Sequence, residues 1–146
     1  MVVKKKMLVG LFALGMTVAS SLTYAEVATP VGPPLTIVNN TSQDSTTKTN
    51  SIRLCSSVVL GAAGVTHHNS TNVVSGENVK RACYFYPADC IASIYMTSDC
   101  TGSIIAKVTF DTLKGIKTIA VSDPAYSLSG SGFSITIDGG PKLAKN

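Results

Sequence analysis

Short runs rich in Ile, Val, Thr, Tyr and Phe recur about every ten positions along most of this chain, separated by residues with turn chemistry. The runs fall at residues 35–38, 52–60, 79–86, 91–97, 103–110, 116–122 and 133–138. Between them lie Pro87-Ala88-Asp89, residues 98–102, Lys114-Gly115 and residues 127–132. Within 52–60 the alternation sets Ile52, Leu54, Ser56 and Val58 on one face and Arg53, Cys55, Ser57 and Val59 on the other. Residues 39–51 are dominated by Asn, Ser and Thr and read as loop or weak edge strand, and residues 61–71 read as a loop. No segment after the first 25 residues carries a helical period. This pattern predicts an all-β fold, an antiparallel β-sandwich or barrel of about seven to eight strands.

The first 25 residues break the pattern. Lys4, Lys5 and Lys6 precede an apolar stretch from Met7 to Val18, and Thr23-Tyr24-Ala25 ends in the small-x-small form that signal peptidase cuts. The expected organisation is a signal peptide over 1–25, an extended Pro-rich lead-in over 26–34 and one disulfide-bonded β domain over 35–146. Export makes the periplasm or the extracellular medium the expected location. The apolar run falls short of the ~20 residues that span a bilayer, so no stable membrane insertion is expected after cleavage. Removing the signal also removes three lysines, leaving nine Lys and Arg against eight Asp and Glu. A nearly neutral chain with no run of cations offers no electrostatic footprint for nucleic acid or anionic lipid.

Four cysteines, Cys55, Cys83, Cys90 and Cys100, form an even set in an exported chain, which predicts two disulfides. No Cys-x-x-Cys pair is present, so a zinc site is not expected. If residues 79–86 and 90–97 form a hairpin about Pro87-Ala88-Asp89, Cys83 and Cys90 share a face near the turn. Cys90 and Cys100 lie at opposite ends of one strand, roughly 25–30 Å apart at ~3.3 Å per residue, against the ~5.5 Å a bridge needs. The expected pairs are Cys83 with Cys90 and Cys55 with Cys100. In the same hairpin Cys83 and Phe85 face inward, while Tyr84 and Tyr86 face outward and meet Ser93, Tyr95 and Thr97 across the strands. Tyr84, Tyr86 and Tyr95 are therefore the candidate binding residues, since a tyrosine offers a flat apolar face and a hydrogen-bonding tip.

Chemistry is sparser. His67 and His68 are adjacent in a polar loop, which does not suit chelation of one metal, and no Gly-x-Ser-x-Gly elbow or Asp-x-Asp loop occurs. Asp89, Asp99, Asp111, Asp123 and Asp138 fall near strand ends, where Asp caps backbone groups. Neither catalytic residues nor a metal nor a cofactor is expected. The favoured role is a secreted binding module for an unidentified protein or glycan of a host or of the envelope. A small protease inhibitor is the alternative and a hydrolase a distant third.

Three segments carry a resemblance. These are residues 35–41 (Leu-Thr-Ile-Val-Asn-Asn-Thr), residues 82–90 (Ala-Cys-Tyr-Phe-Tyr-Pro-Ala-Asp-Cys) and residues 94–102 (Ile-Tyr-Met-Thr-Ser-Asp-Cys-Thr-Gly). Together they resemble a group of small exported β-rich proteins of unassigned function from intracellular gammaproteobacteria. The resemblance implies bacterial export, onward through a type II secretion system, and supplies no catalytic residue.

Overall fold

A computed structural model describes residues 29–143, so the expected signal peptide lies outside the described residues. Eight strands form two four-stranded sheets. They are β1 (Leu35–Asn39), β2 (Thr46–Thr49), β3 (Ser70–Val74), β4 (Cys90–Tyr95), β5 (Ile104–Asp111), β6 (Gly115–Val121), β7 (Tyr126–Ser131) and β8 (Ser134–Gly139). One sheet has the order β3-β1-β8-β7 and the other β2-β4-β5-β6. Every pairing is antiparallel except that of β1 with β8, which is parallel with Ile37 opposite Ile135.

The two sheets pack face to face because each sends one row of aliphatic side chains inward. Ile94, Ala106 and Val108 of one sheet meet Ile135 and Ile137 of the other, with Met96, Ile105 and Tyr126 completing the cluster. A second cluster at the opposite end joins Val74, Val79, Ala92 and Phe110 to Cys83 and Cys90. Along β4 the period of two is plain at first: Cys90, Ala92 and Ile94 are buried while Ile91 is exposed. The register then shifts between Ile94 and Tyr95, and Ile94, Tyr95 and Met96 are all buried. At the sandwich edge β6 comes beside β7, with Ile116 N–H donating to the Gly132 carbonyl at 2.8 Å. A Cβ on Gly115 would crowd the Gly132 backbone, so a glycine is required there.

Two expected strands are helical. Residues 52–60 hold a single turn, α1 (Ser56–Val59), followed by a 3₁₀ turn over Gly61–Gly64. Residues 79–86 belong to α2 (Gly76–Ala82) and the turns that follow it. The cause lies just upstream: Ser75 caps the helix by accepting from the Asn78 N–H at 3.2 Å, Glu77 occupies the first turn, and Lys80 and Arg81 occupy the last. Val79 and Cys83, four apart, form its buried face. The expected hairpin therefore does not exist, yet both disulfides pair as expected, Cys83 with Cys90 and Cys55 with Cys100. Of the Pro-rich lead-in, residues 29–34 are described, and they touch the domain closely at Gly32. A Cβ on Gly32 would overlap the Thr112 carbonyl, and the lead-in backbone at Gly32 in turn lies against Gly76.

Candidate functional site

Strand direction sorts the loops to two ends of the sandwich. One end carries the start of β4, the β5–β6 turn, the β7–β8 turn and the segment after β2. Here α2 ends at Cys83, and the chain needs only six residues to reach Cys90 at the start of β4. The disulfide closes this excursion into a loop with a Cα separation of 5.5 Å at its base. Inside it, Tyr86 N–H donates to the Cys83 carbonyl at 3.1 Å and Asp89 N–H to the Tyr86 carbonyl at 3.3 Å, so the loop is built from turns. It is also stitched to its neighbours. Phe85 N–H donates to Ser51 Oγ at 2.6 Å, Thr112 N–H to the Pro87 carbonyl at 2.8 Å, and Lys117 Nζ pairs with Asp89 Oδ1 at 2.7 Å.

A loop held this firmly still leaves its apolar side chains in water. Tyr84 is 66% exposed, Phe85 66% and Tyr86 51%. The Tyr84 and Phe85 rings meet edge to face with centroids 5.1 Å apart. Exposing three consecutive aromatic residues forgoes the burial that normally stabilises such side chains, which makes this surface the candidate site.

Of the expected trio, Tyr84 and Tyr86 are on this surface and Tyr95 is not. Tyr95 is only 9% exposed and packs with the Cys55–Cys100 bridge, under the Lys48 ammonium, which lies 5.6 Å from its ring centre. The shared face followed from a hairpin that the helix replaces, and the register shift at Ile94 and Tyr95 cancels the parity on which it rested. Phe85, expected inward, is outward for the same reason. The cap at Ser75 is the signal that would have revealed this.

The other end holds the histidines. Asp44 accepts from the His68 N–H at 2.9 Å, and His68 Nδ1 and His67 Nδ1 lie 3.2 and 3.4 Å from its two oxygens. The backbone bond from His68 is the largest influence on the Asp44 carboxyl and, with lesser help from the two imidazoles, holds it below its ordinary range against the opposing effect of desolvation. Ser70 Oγ donates to the His67 carbonyl at 2.7 Å rather than to an imidazole. The arrangement ties the 39–45 and 66–70 loops together. Among the described residues, no group of three or more His, Cys, Asp or Glu is placed to hold a metal ion. A cavity of about 90 Å³ lies between the sheets under α1, lined mainly by aliphatic residues such as Leu35, Ile37, Val74 and Ile135. Its wall also carries Thr46, Thr49, Ser56, Thr66 and Asn72, and no acidic, basic or imidazole side chain lines it.

Known proteins now bear on the chain. A family model described as the type II secretion system substrate NttC matches residues 4–144. The chain belongs to this NttC family. A solved structure, the crystal structure of the Legionella pneumophila type II secretion system substrate NttC, is similar over 77% of this chain and 100% of that one. Its sequence identity is 28% and its TM-score 0.58. No curated protein sequence matches. Membership in a family of secretion substrates makes this an exported protein, and no described helix is long and apolar enough to cross a membrane.

Proposed function

We propose that the protein is a secreted binding module whose contact surface is the disulfide-closed loop carrying Tyr84, Phe85 and Tyr86. The observation that carries this reading is the rigid presentation of three solvent-exposed aromatic side chains by a loop fixed at its base by Cys83–Cys90 and at its flanks by Ser51 and Thr112. Rigidity matters because a pre-ordered loop loses little entropy on docking, and aromatic anchors dominate the binding energy of interfaces. The inhibitor role gains less from this geometry. A loop that offers itself to a protease cleft does so as extended backbone, whereas this loop is folded on itself by the Cys83–Tyr86 and Tyr86–Asp89 bonds.

The reading is tested by retention on cultured eukaryotic cells and on bacterial envelopes, read by flow cytometry with labelled protein. Wild type is expected to be retained on at least one of them, and Tyr84→Ser/Phe85→Ser/Tyr86→Ser to lose roughly 100-fold or more in affinity, since three truncated aromatics at about 1 kcal/mol or more each sum to about 3 kcal/mol or more. Equal retention of the two proteins, or none for either, would overturn the reading.

A further inference from the structure

Charge follows the same two-ended plan as the loops. Among the described residues, the aromatic end gathers five cations, Arg53, Lys80, Arg81, Lys114 and Lys117, against Glu77, Asp89 and Asp111. Asp89 is spent on Lys117, and Asp111 accepts from the Leu113 and Lys114 N–H groups at 2.8 and 3.1 Å. Arg53, Arg81 and Lys114 are exposed and form no ion pair among the described residues. The far end is the reverse, with Asp44, Asp99, Asp123 and Asp138 against Lys142. The described residues, almost without net charge as a set, are therefore strongly polarised along the sandwich axis.

At the cationic end the charges alternate with apolar tips. Arg53 adjoins Leu54, which is exposed at the bend after β2; Lys114 adjoins Leu113, which is exposed in the β5–β6 turn; Arg81 precedes the aromatic loop between them. The bonds from Phe85 to Ser51 and from Thr112 to Pro87 join all three into one surface. We propose that this end docks on an anionic phospholipid bilayer, with Tyr84, Phe85, Leu54 and Leu113 entering the headgroup boundary and Arg53, Arg81 and Lys114 at the lipid phosphates. This rests on the reading of the aromatic loop as the contact surface. Three exposed loop segments at one end of the sandwich, each with an apolar residue close in sequence to a cation, suit a soft planar target that admits them together, where amphipathic aromatic rings and basic side chains are both favoured. A sugar ring would use one flat aromatic face and leave the leucines idle, and a folded acidic partner would have to offer a pocket to each tip. The anionic far end is repelled from the same surface, so the molecule lands aromatic end first.

The chain has no tryptophan, so Phe85→Trp in the full mature protein is a lone reporter at the tip. Co-sedimentation with phosphatidylcholine vesicles, with and without phosphatidylserine, is expected to show binding only to the anionic ones, with a blue-shifted Trp emission quenched by brominated acyl chains. Loss of about fivefold is expected for each of Arg53→Gln, Arg81→Gln and Lys114→Gln, whereas Lys107→Gln on the middle of β5 should leave binding unchanged. Raising salt from about 0.1 M to about 1 M, which shrinks the screening length from about 10 Å to about 3 Å, should release the protein. The proposal is overturned by absence of sedimentation with anionic vesicles, by an unshifted Trp, or by equal loss with Lys107→Gln. If vesicles fail while cells still retain the protein in an aromatic-dependent manner, the target is an acidic protein or glycan and the binding-module reading survives. If both fail, both readings fall.

Discussion

The two disulfides close loops of very different size, and that difference ranks their contributions. Cys55 and Cys100 are 45 residues apart and Cys83 and Cys90 are 7 apart. With a loop-closure entropy of roughly 2.1 + 1.5R ln n cal/mol/K, the long loop stabilises by about 4 kcal/mol and the short one by about 2.4 kcal/mol at 25 °C. Both pairs are buried, so packing lost on substitution by alanine is similar and the ranking reflects the loops. At about 4 °C per kcal/mol for a domain of this size, Cys55→Ala/Cys100→Ala should melt roughly 15 °C below wild type and Cys83→Ala/Cys90→Ala roughly 10 °C below. Differential scanning calorimetry of the three proteins at one pH reads this directly. Equal depressions, or a larger one for the short loop, would refute the argument that restriction of the unfolded chain dominates.

Further expectations concern the core, a buried polar cluster and acid stability. Ile137, 1% exposed at the centre of the larger cluster, should cost about 3–4 kcal/mol on truncation to alanine, measured by urea unfolding. Asn39 is fully buried; its Nδ2 donates to the Gln43 and Thr66 carbonyls, and its Oδ1 accepts from the N–H and hydroxyl of Thr41. Asn39→Ala orphans these groups and should cost about 3 kcal/mol in the same assay. Asp111 is held below its ordinary value of 3.8, first by the Leu113 N–H and then by the Lys114 N–H. A lowered folded value means its contribution is full above that pH and is lost as pH falls through the lower one, so Asp111→Asn should flatten the acid limb of a circular-dichroism titration below pH 3.8. Cys83→Ala/Cys90→Ala should weaken retention on cells more than Cys55→Ala/Cys100→Ala does, despite its smaller effect on melting, because only the former frees the aromatic loop.

The strands that were legible in the sequence are those whose inward positions are filled by β-branched residues. β5 presents Val108 and β8 presents Ile135 and Ile137 to the core, with Lys107 and Thr136 between inward positions, and the alternation is visible in the sequence. β7 reads as a turn in the sequence because Tyr-Ser-Leu-Ser-Gly-Ser buries only Tyr126 and partly Leu128, and the rest faces water. β3, Ser-Thr-Asn-Val-Val, is an edge strand with a polar start, and nothing local distinguishes it from a loop until β1 pairs with it. α2 is too short for a period to show; Val79 and Cys83 are its whole apolar face, and only the cap marks it. The cysteine pairing survived the loss of its supporting hairpin because a turn of six residues brings Cys83 to Cys90 whether a helix or a strand precedes it.

Charge shows the limit of linear reading most clearly. Arg53, Arg81 and Lys114 are about thirty residues from one another along the chain and form no run. Composition therefore suggested no footprint for an anionic surface. Antiparallel pairing folds all three to one end, beside apolar tips that were equally scattered. A polarised surface made by topology leaves no trace in net charge.

Under the proposed function, the aromatic end is the part of this protein that meets its target. A photo-crosslinking residue placed at position 85, and in a second protein at position 98 in the far β4–β5 turn, tests it on living cells. Crosslinked cell-surface material is expected from position 85 and none from position 98. Crosslinks from position 98 alone would contradict it.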